Sequence, residues 1–465
     1  MVMVPLWNLA AEFGVCEVKI NIVPPLTMPL KAIQRYFGFQ RAGTTLAREA
    51  VAGITTFVTM SYIIVVNPAI LAAAGIPAQP AMVATILTAI VGTLLMGIYA
   101  NRPFAVAPYM GENAFIAYTV VLALHYSWQA ALAAVFLGGV LFLLLTIFRL
   151  RQWLVEAVPA GLRYSFAVGI GLFLTFIGLN QTGIVMLGST GAPVRTGHLT
   201  AAPVLVAIFG FLMIAALMIR RFPAAILVGI LATTFLAFAT RVASPPKAWV
   251  SLPPSLAPIL FKLDFRGALT WGFFPVVLTI FIMAFVDTMG TLIGVSARAG
   301  FLDSSGNLPQ IERPMLVDAV STSFAALVGT TTAGAYIESA TGIEAGGRTG
   351  FTSVVTAFCF VIALFFAPFV SSIPPQAYGP ALIIVGLLML APITKIHFDD
   401  FTELIPAFGV VALMSFTYNI GVGITAGFVL YPFCKLVAGR RREVKAGLWV
   451  LAALSLLFFV FYPYT

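Results

Sequence analysis

The run Phe281 to Gly290, FIMAFVDTMG, carries one carboxylate, Asp287, through an otherwise apolar stretch, and about fifty residues later TTTAGAYIESATG brings in Glu338 after an equally apolar approach. Taking an ionisable group into hydrocarbon costs roughly 2.5–3.5 kcal/mol on the insertion scale, so such residues face a cavity and mark a substrate or proton path. Two acids at membrane depth make the chain read first as a transporter.

The composition around them excludes a soluble protein. Of 465 residues, 61% are hydrophobic and only 9% charged, whereas soluble domains carry about 25% charged residues; the mean hydropathy is +1.04. A formal charge of +9 would suggest nucleic acid in a soluble chain. Here the Lys and Arg residues cluster in short loops between apolar runs, where they orient the protein in the bilayer, and no nucleic-acid partner follows. Cys16, Cys359 and Cys434 are scattered without CxxC spacing, which gives neither a disulfide frame nor a metal site. Residues 1–27 do not have the pattern of a signal peptide, and Met28 offers a second start. No GxxxxGK[ST] motif for ATP is present, so no cofactor is expected and coupling comes from an ion gradient or there is none.

Spans need about 20 apolar residues. Such runs fall at 50–74, 80–100, 103–124, 128–148, 158–179, 202–219, 224–240, 267–296, 313–330, 331–347, 350–371, 376–393, 402–418 and 419–436, which makes fourteen; a further run at 446–463 either spans or lies along the surface. With the N-terminus inside, the cytoplasmic loops hold Arg102, Arg149, Arg151, Arg220, Arg221, Arg298, Arg313, Arg348 and Lys395, and Lys435 to Lys445 follows the last span. The loop at 241–266 carries Arg241, Lys247, Lys262 and Arg266 on the opposite side, which longer loops are allowed to do.

Seven spans followed by seven invert the second half, a transporter signature. Span three contains FAVAPYMGENAFIAY and span ten TTTAGAYIESATGIEAGG, both interrupted by Gly, Pro or Thr. Each reads as a short extended segment feeding a half-helix, and paired breaks of this kind point to a site at the midplane. Asp287 and Glu338 have no basic partner within the spans, so each needs a ligand, a proton or hydroxyls such as Thr288, Thr291, Thr331 and Thr332. Glu112 and Asn113 occupy the break in span three, Asn113 as either ligand or helix cap. Phe115 and Tyr336 either stack on a flat ligand or pack. Asp318 and Glu344 read as structural or loop-facing, and Asp399, Asp400 and Glu403 as a solvated face.

With Gly111-Glu112-Asn113-Ala114-Phe115, FVDTMGT from Phe285, YIES from Tyr336 and AGGRTG from Ala345, the chain resembles the nucleobase–ascorbate transporter family, in its adenine/guanine/hypoxanthine permease branch. The resemblance runs from about Phe37 to Lys435. It implies an all-α polytopic fold of fourteen spans in 7+7 inverted repeats, with a core domain over 49–148 (spans 1–4) and 267–371 (spans 8–11). A gate domain follows over 149–266 (spans 5–7) and 372–437 (spans 12–14), flanked by a cytoplasmic segment at 1–48 and a basic segment with an extra hydrophobic helix at 438–465. It also implies that Asp287 and Glu338 hydrogen-bond the base, with Thr291 and Asn113 as further contacts and the backbone at Ala114 and Ile337 as donors to ring atoms; proton coupling at Asp287 and Glu338 is expected from their lack of a basic partner. Tyr109 and Glu112 depart from the branch, which more often shows Gly and Leu, and leave the identity of the purine open.

The expected function is import of a purine base by proton symport through an elevator-like movement of core against gate, in the plasma (inner) membrane, with room for a homodimer through the gate domain. An anion or uracil carrier on the same fold is the alternative, although two site acids repel a free anion. An intramembrane enzyme would need a nucleophile with its base, and His125, His198 and His397 lie in or beside loops. The charge pattern makes a topological prediction: a cysteine introduced between Lys395 and Glu403 is labelled only from the cytoplasm, and labelling by an impermeant reagent in intact cells would overturn the orientation.

Overall fold

Each of the fourteen apolar runs holds a helix in the computed structural model, which describes residues 30–148, 158–189, 192–270, 273–303, 308–417 and 419–461. The segment before residue 30, with Cys16 and Met28, and the loop residues Arg149 and Arg151 lie outside the described residues, as does the side chain of Arg298. Two short helices, Leu30–Phe37 and Phe39–Ala42, precede a first rod made of α1 (Leu46–Met60) and α2 (Ile63–Ala73). There follow α3 (Ala78–Ile98), the strand β1 (Val106–Pro108), the half-helix α4 (Met110–Ala114) with a π-helical continuation over Phe115–Ala123, and α5 (Trp128–Ile147). Next come α6 (Ala160–Gln181), a hairpin of β2 (Val185–Ser189) and β3 (Ala192–Thr196), α7 (Ala202–Ile219) and α8 (Ala225–Ala239).

The second half begins with α9 (Phe274–Ala299) and α10 (Glu312–Val328), then β4 (Ala333–Ala335), the half-helix α11 (Ser339–Glu344) and α12 (Gly350–Ala363). It closes with α13 (Pro375–Met389), α14 (Phe401–Phe416), α15 (Ile420–Val437) and an additional α16 (Ala446–Phe461). Side-chain caps explain several starts: Thr45 accepts from Arg48 N, Ser127 from Ala130 N and Asn419 from Val422 N. The run at 267–296 starts later than its hydropathy implies. Pro275 sits in the first turn of α9 and fixes the helix start there, while Phe265–Ala268 forms a separate turn capped by Asp264. Among the described residues nine stretches are long and apolar enough to cross a membrane, and four apolar helices are shorter. The protein is a multi-pass helical membrane protein.

The packing has a two-fold pattern. In the first group α3 packs on α12 as α10 packs on α5, and α1 packs on α12 as α9 packs on α5. In the second group α6 lies along α13, α7 packs on α8 as α14 packs on α15, and α14 packs on α6 as α7 packs on α13. Counted along the chain, each contact has its counterpart seven apolar runs away. Close approach within the first group depends on glycine: a Cβ on Gly350 would stand 2.0 Å from the Gly97 carbonyl oxygen. There Glu49 of α1 is wholly buried and accepts from the amides of Arg348 (2.9 Å), Thr349 (3.3 Å) and Thr352 (3.2 Å) and the hydroxyls of Thr349 (2.9 Å) and Thr352 (2.6 Å). A carboxylate on the N-terminal amides of α12 is favoured by the helix dipole.

At the centre β1 and β4 pair antiparallel, Val106 with Ala335, Ala107 with Gly334 and Pro108 with Ala333. A two-stranded sheet in an apolar interior leaves polar edges that must be satisfied by protein. Thr93 of α3 does this for β1, accepting from Val106 N at 2.9 Å and donating to Val106 O at 3.1 Å. Thr322 of α10 does it for β4, accepting from Ala333 N at 3.1 Å and donating to Ala333 O at 2.8 Å. Asp318 accepts from Ala335 N at 3.1 Å, which makes it structural. Replacing Thr93 or Thr322 by Val keeps the shape and strands two buried backbone groups, at about 1–3 kcal/mol for each. Either variant is expected to melt several degrees lower in detergent, with Thr→Ser close to wild type; unchanged melting of both Val variants would show that the edges are satisfied otherwise.

Candidate functional site

Both half-helices start where the strand pair ends, so the chain itself brings spans three and ten together. Tyr109 N donates to Thr332 O at 2.9 Å and Tyr336 N to Ala105 O at 2.8 Å, extending the pairing on both sides. The two tyrosine rings lie parallel, 6.2 Å between centroids and 6° between planes. The Tyr336 hydroxyl donates to Pro108 O, and the Tyr109 hydroxyl is 3.2 Å from Thr288 Oγ1. Tyr336 therefore serves as a tie between the strands as well as a ring beside the site.

Glu338 is the N-cap residue of α11, but its carboxylate does not cap. Tyr62, at the break between α1 and α2, donates to Glu338 Oε1 at 2.5 Å. The hydroxyl partner is thus a phenol rather than one of the expected threonines: Thr331 and Thr332 have buried hydroxyls without hydrogen-bond partners, and Thr288 bonds Tyr109. Sequence reading missed Tyr62; its signal is a tyrosine in the hydroxyl-rich run TTFVTMSY at the close of an apolar helix. The backbone amide of Ile337 enters no backbone hydrogen bond among the described residues, while its side chain is exposed.

Asp287 sits midway along α9, half-buried, beside a narrow crevice lined by Phe166, Ile170, Ile282, Met283, Val286 and Ile424. These residues come from α9 on one side and α6 and α15 on the other. Thr291, one turn on, is half-buried. Glu112, inside α4, is wholly buried with its carboxyl against that of Asp287, and neither of its oxygens is reached by a donor from another residue. Tyr336 lies within electrostatic reach of Glu338, Glu112 and Asp287, so one aromatic ring stands among the three acids.

Asn113 lies within α4, whose N-cap is Tyr109, so it is not a cap; both of its buried amide atoms lack a hydrogen-bond partner. Ala114 is buried beside it. Phe115 is also buried, and a Cβ at Gly421 of α15 would meet its ring at 2.9 Å, so it packs across the boundary between the two helix groups instead of standing open to a ligand. Glu344 is exposed at the end of α11.

The cluster read as a solvated face is mostly engaged. Asp399 is exposed, but Glu403 pairs with the buried Lys435 at 2.8 Å, and Asp400 pairs with Arg440 at 2.7 Å. Hydrogen bonds from Thr402 and Arg440 hold the Asp400 carboxyl well below the usual carboxylate range. Lys435 is therefore buried in an ion-pair corner with Glu403 and Glu443 and is not a free basic charge after the last span.

Two helix breaks joined by strands, three acids within electrostatic reach of one tyrosine, and multiple apolar helices are the features of a membrane permease. The chain belongs to the permease family, which it matches over residues 47–430, and this is the nucleobase–ascorbate transporter family indicated by its FVDTMGT, YIES and AGGRTG strings; it is a transporter and not an enzyme. It is 40% identical over 425 residues to the adenine permease AdeQ of Escherichia coli (strain K12), covering 91% of this chain and 95% of that one. To the guanine/hypoxanthine permease PbuO of Bacillus subtilis (strain 168) it is 39% identical over 431 residues, covering 91% and 99%. Among solved structures it is similar to the transmembrane domain of the cyanobacterial bicarbonate transporter BicA, with a TM-score of 0.62 over 82% of this chain and 97% of that one; at 16% identity the likeness is one of fold.

Gly334 tests the geometry of the break. A Cβ there would stand 2.2 Å from the Tyr109 hydroxyl and 2.6 Å from its Cζ. Gly334→Ala is expected to lower expression and melting temperature, and Tyr109→Ala in the same chain to recover most of the loss, a coupling seen only between touching residues. Independent effects of the two changes would place Tyr109 away from β4.

Proposed function

We propose that the protein is a secondary active importer of purine nucleobases, driven by proton symport. The observation that carries this reading is the pairing of two helix breaks, with Glu338 at one and Glu112, beside Asp287 of α9, at the other, in a family whose relatives include adenine and guanine/hypoxanthine permeases. A purine offers ring and exocyclic N–H donors, which carboxylates accept, and acceptors that the free amide of Ile337 and the amide of Asn113 are suited to satisfy. Thr291, the backbone at Ala114 and the Tyr336 ring complete the proposed contacts, while Glu112 adds an acid beside Asp287.

The architecture proposed for this activity is fourteen spans in 7+7 inverted repeats. The nine long apolar stretches, the short helices Met110–Ala123, Ala225–Ala239 and Phe401–Phe416, and the α10 and β4–α11 segments make up that number. The two-fold packing pattern and the matched Thr93 and Thr322 support the repeat. The helix groups of α1–α5 with α9–α12, and of α6–α8 with α13–α15, correspond to a core and a gate, and the narrow crevice beside Asp287 lies where they face. Transport would proceed by movement of one against the other in the inner membrane, with the N-terminus cytoplasmic and a gate-mediated homodimer as the assembly.

Radiolabelled uptake into cells without their own purine carriers tests the substrate class across a panel of purines, uracil and bicarbonate. Glu338→Gln replaces a charged acceptor by a neutral amide, a loss of about 1.5–3 kcal/mol or roughly 10- to 150-fold in affinity, with surface expression intact. Unchanged affinity in a normally expressed variant would remove Glu338 from the site. Uptake into vesicles is expected to follow an inward proton gradient and collapse with a protonophore, and Asp287→Asn to lose accumulation. Sodium-driven accumulation at equal pH would contradict proton coupling.

A further inference from the structure

Among the described residues Glu112 is a buried acid with both carboxyl oxygens unpartnered. It is wholly buried on the half-helix α4, neither oxygen meets a donor from another residue, and its carboxyl interacts with that of Asp287 on α9. Two interacting carboxylates, one wholly buried and the other half-buried, repel unless a counter-charge or a proton lies between them. Among the described residues no cation is among the groups acting on either acid: the side-chain partners of Glu112 and Asp287 are each other.

The surroundings leave little else to hold the charge. The elements packed on α4 are α2, the π-helical turn, α6 and α9. Of these, α9 presents Asp287; the titratable groups otherwise facing the pair are Tyr336 from the link before α11 and Tyr109 at the start of α4, the latter also beside Asp318 of α10. Each is a phenol or an acid. One proton bound between the two carboxyls converts repulsion into an O–H···O⁻ hydrogen bond, among the shortest and strongest that proteins make.

We infer that Glu112 and Asp287 form an acid pair that holds a single transported proton, with Glu112 a proton site instead of a ligand to the base. The inference rests on the reading of this protein as a proton-coupled base importer. With the proton shared, the pair carries one negative charge, and the outer oxygen of Asp287 remains an acceptor for a base N–H. Only an O–H bond forms and breaks: the proton arrives from the outer solution with the base and leaves to the inner solution after it. The unloaded pair, with both acids ionised, binds the base poorly.

The test uses the full chain in lipid nanodiscs. Infrared titration of wild type, Glu112→Gln and Asp287→Asn should show a protonated-carboxyl stretch in the wild type that both variants lose. Affinity for a radiolabelled purine should fall about tenfold per pH unit above the titration of that band in the wild type, as linkage to one proton requires. In Glu112→Gln, whose amide donates permanently to Asp287, affinity should change by less than about twofold over the same range. No protonated carboxyl in the wild type, a band that survives Glu112→Gln, or a wild-type pH slope in that variant would each overturn the pair. If Glu112→Gln does not fold, the wild-type band and its loss in Asp287→Asn decide. A band that behaves as expected in a protein that binds no purine would uphold the acid pair and overturn the substrate reading.

Discussion

The rest of the structure depends on three residue pairs of β-sheet. β1 and β4 tie together helices that are distant in sequence, and each strand ends at a half-helix, so the pairing sets the two breaks opposite one another. A sheet this short has no stability of its own in water or lipid. It survives because Thr93 and Thr322 each serve both backbone groups of an edge residue, and because Asp318 and Ser339 take the amides of Ala335 and Ala105. A hydroxyl that both donates and accepts at a single residue replaces a neighbouring strand.

The acids of the protein fall into two kinds according to how their charge is met. Glu49 receives five hydrogen bonds from the start of α12, and Asp400, Glu403 and Glu443 share Lys435 and Arg440; these charges are fully answered and act as structural joints. Glu338 has a single phenol, and Glu112 and Asp287 have each other. Buried charge that is incompletely answered is costly, and such sites are retained where a ligand or a proton completes them. The contrast supports the proposed roles of Glu338, Glu112 and Asp287, while Asp318 stands between the two kinds, with Oδ2 on the amide of Ala335 and Oδ1 without a hydrogen-bond partner.

Much of this was legible in the chain. Hydropathy placed a helix in every apolar run, and the Gly, Pro and Thr interruptions in FAVAPYMGENAF and TTTAGAYIES marked the breaks, because Pro lacks an amide donor and Gly has low helix propensity. Asp287 and Glu338 stood out because charge is rare in such runs. What stayed hidden depends on distance in the fold. Tyr62 lies 276 positions from Glu338 and Glu49 about 300 from Thr349, and one hydroxyl or carboxylate in an apolar run does not name its partner. Asn113 looked like a cap from its residue type, yet Tyr109 begins the helix. Lys435 read as the start of the basic segment after the last span, yet the turn after α15 folds Glu443 back onto it.

In the proposed function a purine base sits between the two breaks, accepted by Glu338 and Asp287 and met by the amide of Ile337. A cryo-electron microscopy map of the protein in nanodiscs with a bound purine tests this most directly. Planar density is expected beside Tyr336, within hydrogen-bonding distance of both carboxyl groups and at the mouth of the crevice lined by Ile170 and Val286. Density that leaves Glu338 on Tyr62 alone and places the base away from the β1–β4 junction would contradict it.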